Sequence, residues 1–173
     1  MDIPTFWRLI ETTKVASDGV IEQQTRLLIQ ELVKLPPEEI IQFDMLLQTF
    51  HTQAYTNDLW AAAYIIMGGC SDDGFDYFRS WLLAQGEAIF HAALQNPESL
   101  AEVVGEQVDT RAFARGEQFF RAAKRAYEQK TNDLMPRRAP VYDELAGEDW
   151  TDADLPARYP RLWVRYGEAS YEA

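Results

Sequence analysis

An all-α fold follows from three observations. Apolar residues recur at three- and four-residue intervals through most of the chain, the spacing of one helix face. Capping and proline signals punctuate those runs at Asn57, Ser71 and Asn96-Pro97, where helices begin. No stretch alternates apolar and polar residues for long enough to make a convincing strand. The sequence predicts a compact bundle of about seven helices over residues 1–131, with an irregular aromatic- and proline-rich tail, residues 132–173, packed on it.

The elements follow in order. Phe6, Trp7 and Ile10 make a short amphipathic helix that ends near Gly19. From Val20 to Leu35, Ile21, Leu28, Leu32 and Leu35 share one stripe. Pro36-Pro37-Glu38-Glu39 restarts the chain, because proline loses no hydrogen bond in a first turn and glutamates suit the positive end of the dipole. Ile40, Phe43, Leu47 and Phe50 continue that helix. Thr56 or Asn57 caps a run through Trp60 to Met67, and Gly68-Gly69 closes it. Ser71 caps the next, with Phe75, Phe78 and Leu82 on one face as far as Gly86. Asn96-Pro97-Glu98 opens another. After a weaker loop around 105–111, AFARGEQFFRAAKRAYEQK predicts one long helix with Phe113, Phe120, Ala123 and Tyr127 inward.

In the tail, Pro136, Pro140, Pro156 and Pro160 forbid a long helix, yet Tyr142, Trp150, Tyr159, Trp163, Tyr166 and Tyr171 make it too aromatic for a solvated linker. One capped turn is predicted at 150–155, with Thr151 as cap, Asp154 in the third position, Trp150 stapled to Leu155 and Pro156 limiting it.

Composition excludes several classes. With 173 residues and 47% hydrophobic content the chain can close a core. A net charge of −12 argues against a whole-molecule role on nucleic acid or an anionic membrane. That charge is partitioned: residues 1–110 hold 5 basic and 17 acidic side chains, 111–138 hold 8 and 3, and 139–173 hold 3 and 8. The basic helix 111–130, with Arg115, Arg121 and Arg125, is either a solvated face or a surface for an acidic protein partner. Cys70 alone excludes a disulfide framework and a cysteine zinc site. Asp2 and Glu11 stand where a signal peptide would be basic and apolar, and the apolar run 59–70 is shorter than the roughly 20 residues that span a bilayer. These features predict a reduced, cytoplasmic protein.

The densest constellation is GGCSDDGFDYFRSWLLAQG at 68–86. It predicts a tight helical hairpin with Asp72 and Asp73 in the first turn of the second helix, an arrangement that suits capping more than acid catalysis. Asp76 stands three residues from both Asp73 and Arg79, so one face gathers two carboxylates and a guanidinium. Three readings stand: capping plus an Asp73–Arg79 or Asp76–Arg79 pair, a site, or a partner-binding edge. In the second reading Asp72, Asp73, Asp76 and Arg79, with Trp60, Tyr64 and Trp81, form a polar network or small-ligand pocket, or Asp58, Asp73 and Asp76 hold a hard cation. The spacing lacks the further ligands of an EF-hand. No cofactor is called for.

His51 and His91 have no carboxylate or cysteine at metal-ligand spacing and read as surface or half-buried residues. Cys70 reads as inert, because Asp72 and Asp73 favour its thiol over its thiolate. G-x-S-x-G, P-loop, dinucleotide and H-E-x-x-H motifs are absent.

Leu59-Trp60-Ala61-Ala62-Ala63-Tyr64, Gly68 to Phe75, and Tyr77-Phe78-Arg79-Ser80-Trp81-Leu82, with Phe6-Trp7 near the start, resemble a bacterial family of unknown function, DUF4240. The resemblance covers roughly residues 3–130, and Arg158 to Trp163 resembles the endings of longer members. Some members carry a label as similar to a molybdenum metabolism regulator. The resemblance implies a small helical bacterial domain, found alone or beside other modules, with no activity, cofactor or catalytic residue to carry over. The function predicted is a non-enzymatic binding or regulatory module. The alternatives are a carboxylate- or metal-assisted hydrolase at Asp72, Asp73, Asp76 and Arg79, and a protein–protein interaction through helix 111–130.

Overall fold

Asp2 starts the first helix, its carboxylate accepting the Thr5 N–H at 2.9 Å. A computed structural model describes residues 1–105, 107–136 and 144–167. In it α1 spans Ile3–Ala16, α2 Ile21–Val33, α3 Pro37–Gln53, α4 Asn57–Met67, α5 Asp72–Ala84 and α6 Glu87–Gln95. A 3₁₀ turn at Pro97–Ser99 leads into α7, Leu100–Val103. The fold is all-α. No strand occurs among the described residues, and one isolated parallel bridge joins Thr56 to Ala146. No helix among them is long and apolar enough to cross a membrane.

The expected starts are where the sequence places them. Pro37 opens α3, Thr56 accepts the Leu59 N–H to cap α4, Ser71 accepts the Gly74 N–H to cap α5, and Asn96 accepts the Glu98 N–H. Gly68 ends α4 at φ +68, where a β-carbon would be costly.

The long helix expected at 112–130 is instead three: α8 Thr110–Ala114, α9 Gly116–Phe120 and α10 Ala122–Thr131. Arg115 and Arg121 sit at the breaks with ψ of −14 and 1. The cause is tertiary. α8 packs on α5, α9 on both α5 and α2, and α10 on α2 and α3, and one straight rod cannot follow that change of surface. This division also takes the helix count past seven.

Two aromatic centres fill the interior. Phe6, Trp7, Phe43, Phe50 and Phe90 join α1, α3 and α6 with ring centroids 4.8–5.7 Å apart. Phe78, Trp81 and Phe113 join α5 to α8, the last two edge to face at 4.7 Å. The buried Gln24 amide donates to the Ile10 carbonyl in mid-α1 and to the Ala84 carbonyl at the end of α5, so the amide N–H groups keep partners that burial would otherwise deny them.

The described part of the tail, residues 144–167, packs back on the bundle. Short helical turns at Leu155–Arg158 and Pro160–Leu162 and a π turn at Trp163–Gly167 bury Leu155, Tyr159, Leu162 and Tyr166. The turn expected at 150–155 is present at 152–154, and Pro156 stands in the first turn of the short helix that follows it. Trp150 lies against Tyr64 at 5.1 Å. Thr151 donates both its N–H and its hydroxyl to Asp154, whose residue is the helix cap. Tyr142 and Tyr171, two of the aromatics expected to pack, lie outside the described residues.

Candidate functional site

The site grows from the α4–α5 hairpin. Trp60 Nε1 donates to the Cys70 carbonyl at 3.1 Å, tying the loop to the first turn of α4. The same indole stacks on Phe75 of α5, centroids 5.0 Å apart and planes 13° from parallel. Tyr55, just before α4, lies 6.0 Å from Phe75.

One turn further along α5, Arg79 is buried. Its Nη1 donates to the His51 carbonyl at 2.9 Å and its Nη2 to Asp76 at 2.8 Å. The guanidinium carbon stands 4.7 Å from the Tyr55 ring centre and 5.1 Å from that of Phe75, the geometry of a cation on aromatic faces. Of the two pairings open in the sequence, Asp76 is the partner taken.

His51 completes the cluster from α3. Its Nε2 lies 3.1 Å from the Asp76 carbonyl. A carbonyl only accepts, so Nε2 carries the proton of a neutral imidazole. Burial, then the Arg79 charge, push its pKa down to about 4 against the opposing pull of Asp76. The ring packs on Phe120 at 4.4 Å. Expected at or near the surface, His51 is in fact a buried strut.

These groups surround a cavity of about 250 Å³ lined by Tyr55, Trp60, Asp72, Asp73, Phe75, Asp76 and Arg79. The five candidates Asp72, Asp73, Asp76, Arg79 and Trp60 are thus brought together. Tyr64 and Trp81 are not among the walls: Tyr64 faces the tail and Trp81 the α8 core. Nor is Asp58, whose carboxylate accepts from Arg158 and Tyr159. Among the described residues no three His, Cys, Asp or Glu side chains form a group that could hold a metal ion. Tyr55 and His51 were not singled out as site residues, since their partners lie 20 to 28 positions away.

A larger hollow of about 610 Å³ lies between the end of α1 and the start of α6, with Lys14, Val15, Gln85 and Ile89 among its walls. It is nearly all apolar there, and Lys14 spends its ammonium on the Gln85 carbonyl.

The chemistry at the hairpin loop is restrained. Burial, with Asp72 adding to it, pushes the Cys70 thiol up to about 11, so it stays protonated near neutrality. The Ser71 hydroxyl is engaged as acceptor of the Gly74 N–H. On the basic face, Arg115 pairs with Glu22 at 3.1 Å and Arg121 with Glu117 at 2.8 Å. Arg125 is exposed.

The family model described as a protein of unknown function, DUF4240, matches residues 1–129. No curated protein and no solved structure matches the chain. The match takes in α1 to α9, most of α10 and every wall of the 250 Å³ cavity, and this chain belongs to the DUF4240 family.

Proposed function

We propose that the chain is a non-enzymatic binding module that takes a planar cationic group, of a small molecule or of a protein side chain, into the cavity at the start of α5. The observation that carries this reading is the composition of the walls. Three carboxylates face one guanidinium there, and that guanidinium is committed to the His51 carbonyl and Asp76. The carboxylates of Asp72 and Asp73 make no hydrogen bond or ion pair with another described residue. The half-buried Trp60 adds ring surface in the same cavity on which a flat cation stacks, while Arg79 already lies over the Tyr55 and Phe75 rings. A hydrolase that works through a thiolate at this place is disfavoured, because the Cys70 thiol stays protonated near neutrality. A partner surface on helix 111–130 is weakened by the ion pairs that already engage Arg115 and Arg121.

The test is a titration of the full chain with N-acetylarginine amide, followed by Trp fluorescence and calorimetry, with the uncharged citrulline analogue as control. Saturable binding of the arginine compound, weakened about tenfold or more in Asp72→Asn/Asp73→Asn with stability near wild type, supports the reading. Equal affinity for both compounds, or no loss in the double variant, overturns it.

A further inference from the structure

The tail touches the bundle in two different ways. The segment 155–166 is an anchor that buries Leu155, Tyr159, Leu162 and Tyr166. Its Tyr166 hydroxyl donates to the Val104 carbonyl, and Arg161 pairs with Glu102 at 2.8 Å. The segment 146–150 buries little beyond one face of a half-buried ring: Ala146 to Asp149 are exposed, and Trp150 packs on Tyr64. It is held mainly by hydrogen bonds to residues 55–57, of which Tyr55 lines the cavity, and by one from Arg158 of the anchor to the Asp149 carbonyl.

The Ala146 N–H donates to the Tyr55 carbonyl, and the Ala146 carbonyl accepts the Asn57 N–H at 2.8 Å. The Asn57 amide donates to the Gly147 carbonyl and to Asp149. Trp150 Nε1 donates to the Asn57 carbonyl at 3.0 Å. Tyr55 is itself a wall of the cavity, and Trp60 stands one turn into the helix that Thr56 caps. Asn57 is the first residue of α4, so its N–H has no partner within the helix and depends on the tail. Gly147 adopts φ +95, a conformation that resists a side chain, so the sequence provides the turn this contact needs.

We infer that residues 146–150 are a clasp, which opens locally while the anchor at 155–166 stays docked, and that its closure fixes Tyr55 and Trp60 in the wall of the cavity. Regions with exposed hydrogen bonds and little buried apolar surface open at lower free energy than the rest of a fold, and the clasp and anchor differ in just that way. As a regulator of the cavity the clasp rests on the binding reading above, but its motion does not.

The experiment is hydrogen exchange on the full chain, with 5-fluorotryptophan labelling to follow the Trp60 resonance. Trp150→Ala removes a bond to Asn57 and the ring on Tyr64, and Gly147→Ala strains the turn on an exposed segment where folding survives. In both variants the Asn57 and Ala146 amides are expected to exchange at least tenfold faster. The Tyr159 and Trp163 amides, which donate to Leu155 and Tyr159, are expected to change less than twofold, and the Trp60 resonance is expected to move. Equal acceleration at all four amides would make clasp and anchor one unit and overturn the inference, as would unchanged exchange or an unmoved Trp60 resonance. No readout uses a ligand, so failure of the arginine titration leaves this outcome legible.

Discussion

Gly116 of α9 lies directly on the Tyr77 carbonyl of α5. A β-carbon at 116 would stand 2.1 Å from Tyr77 O and 2.8 Å from Trp81 N, and both are backbone atoms that no rotamer change can move aside. Gly116→Ala is expected to lower unfolding free energy by about 3 kcal/mol or more, through displacement of α9. Gly74, in contrast, sits inside α5, where a β-carbon meets Ser71 Oγ at 3.4 Å, so Gly74→Ala is expected to add up to about 1 kcal/mol. Urea unfolding midpoints of the two variants, moving in opposite directions, check both.

The His51 ring makes stability depend on pH. Its folded pKa, about 4, lies below the value near 6.5 of an unfolded histidine. The unfolded chain therefore takes up the proton first as pH falls. Stability contributed by the neutral ring is intact above about pH 6.5 and is lost progressively toward pH 4, to a total of about 3 kcal/mol. Denaturation curves across pH 4–7 for wild type and His51→Gln are expected to differ in slope over that window and run parallel above it.

Arg79 is expected to tolerate no conservative exchange. Lysine keeps the charge but cannot present two N–H groups in a fork, here to His51 and Asp76, or lie flat over Tyr55 and Phe75. Arg79→Lys is expected to cost about 2 kcal/mol, less than breaking a fully buried pair because Asp76 is about half exposed. Asp76→Asn retains an acceptor and is expected to cost about 1 kcal/mol. Chemical denaturation of each separates the two.

Cys70 is expected to alkylate slowly. A thiol pKa near 11 in place of 9 leaves about a hundredth of the usual thiolate near neutral pH, so iodoacetamide is expected to react on the order of a hundredfold more slowly than with the unfolded chain. Mass spectrometry of the time course in native buffer and in urea measures the ratio.

Much of this architecture is readable in the sequence, because its signals are local. The Thr56, Ser71 and Asn96 caps, the left-handed Gly68 and the proline at 37 act on neighbours within four residues. What escapes is what depends on distant chain. The division of 112–130 comes from α5 and α2, not from a breaker at 121. His51 is held through the backbone carbonyl of residue 76, which leaves no mark in residue type. Asp58 resembles a site carboxylate until Arg158 and Tyr159 arrive from the tail. The grouping of Asp72, Asp73, Asp76 and Arg79 was legible because helix spacing alone places them together.

The Asp58–Arg158 bond spans 100 positions, and this separation has a meaning in time. At about 5–20 residues per second of synthesis, some 5–20 seconds pass between the making of the two partners. On the ribosome the α4–α5 stretch therefore emerges well before the tail segment that meets it. For that interval Asn57 and Asp58 stand in water. Both are polar, so this part of the waiting surface hydrates and offers little to a neighbouring nascent chain.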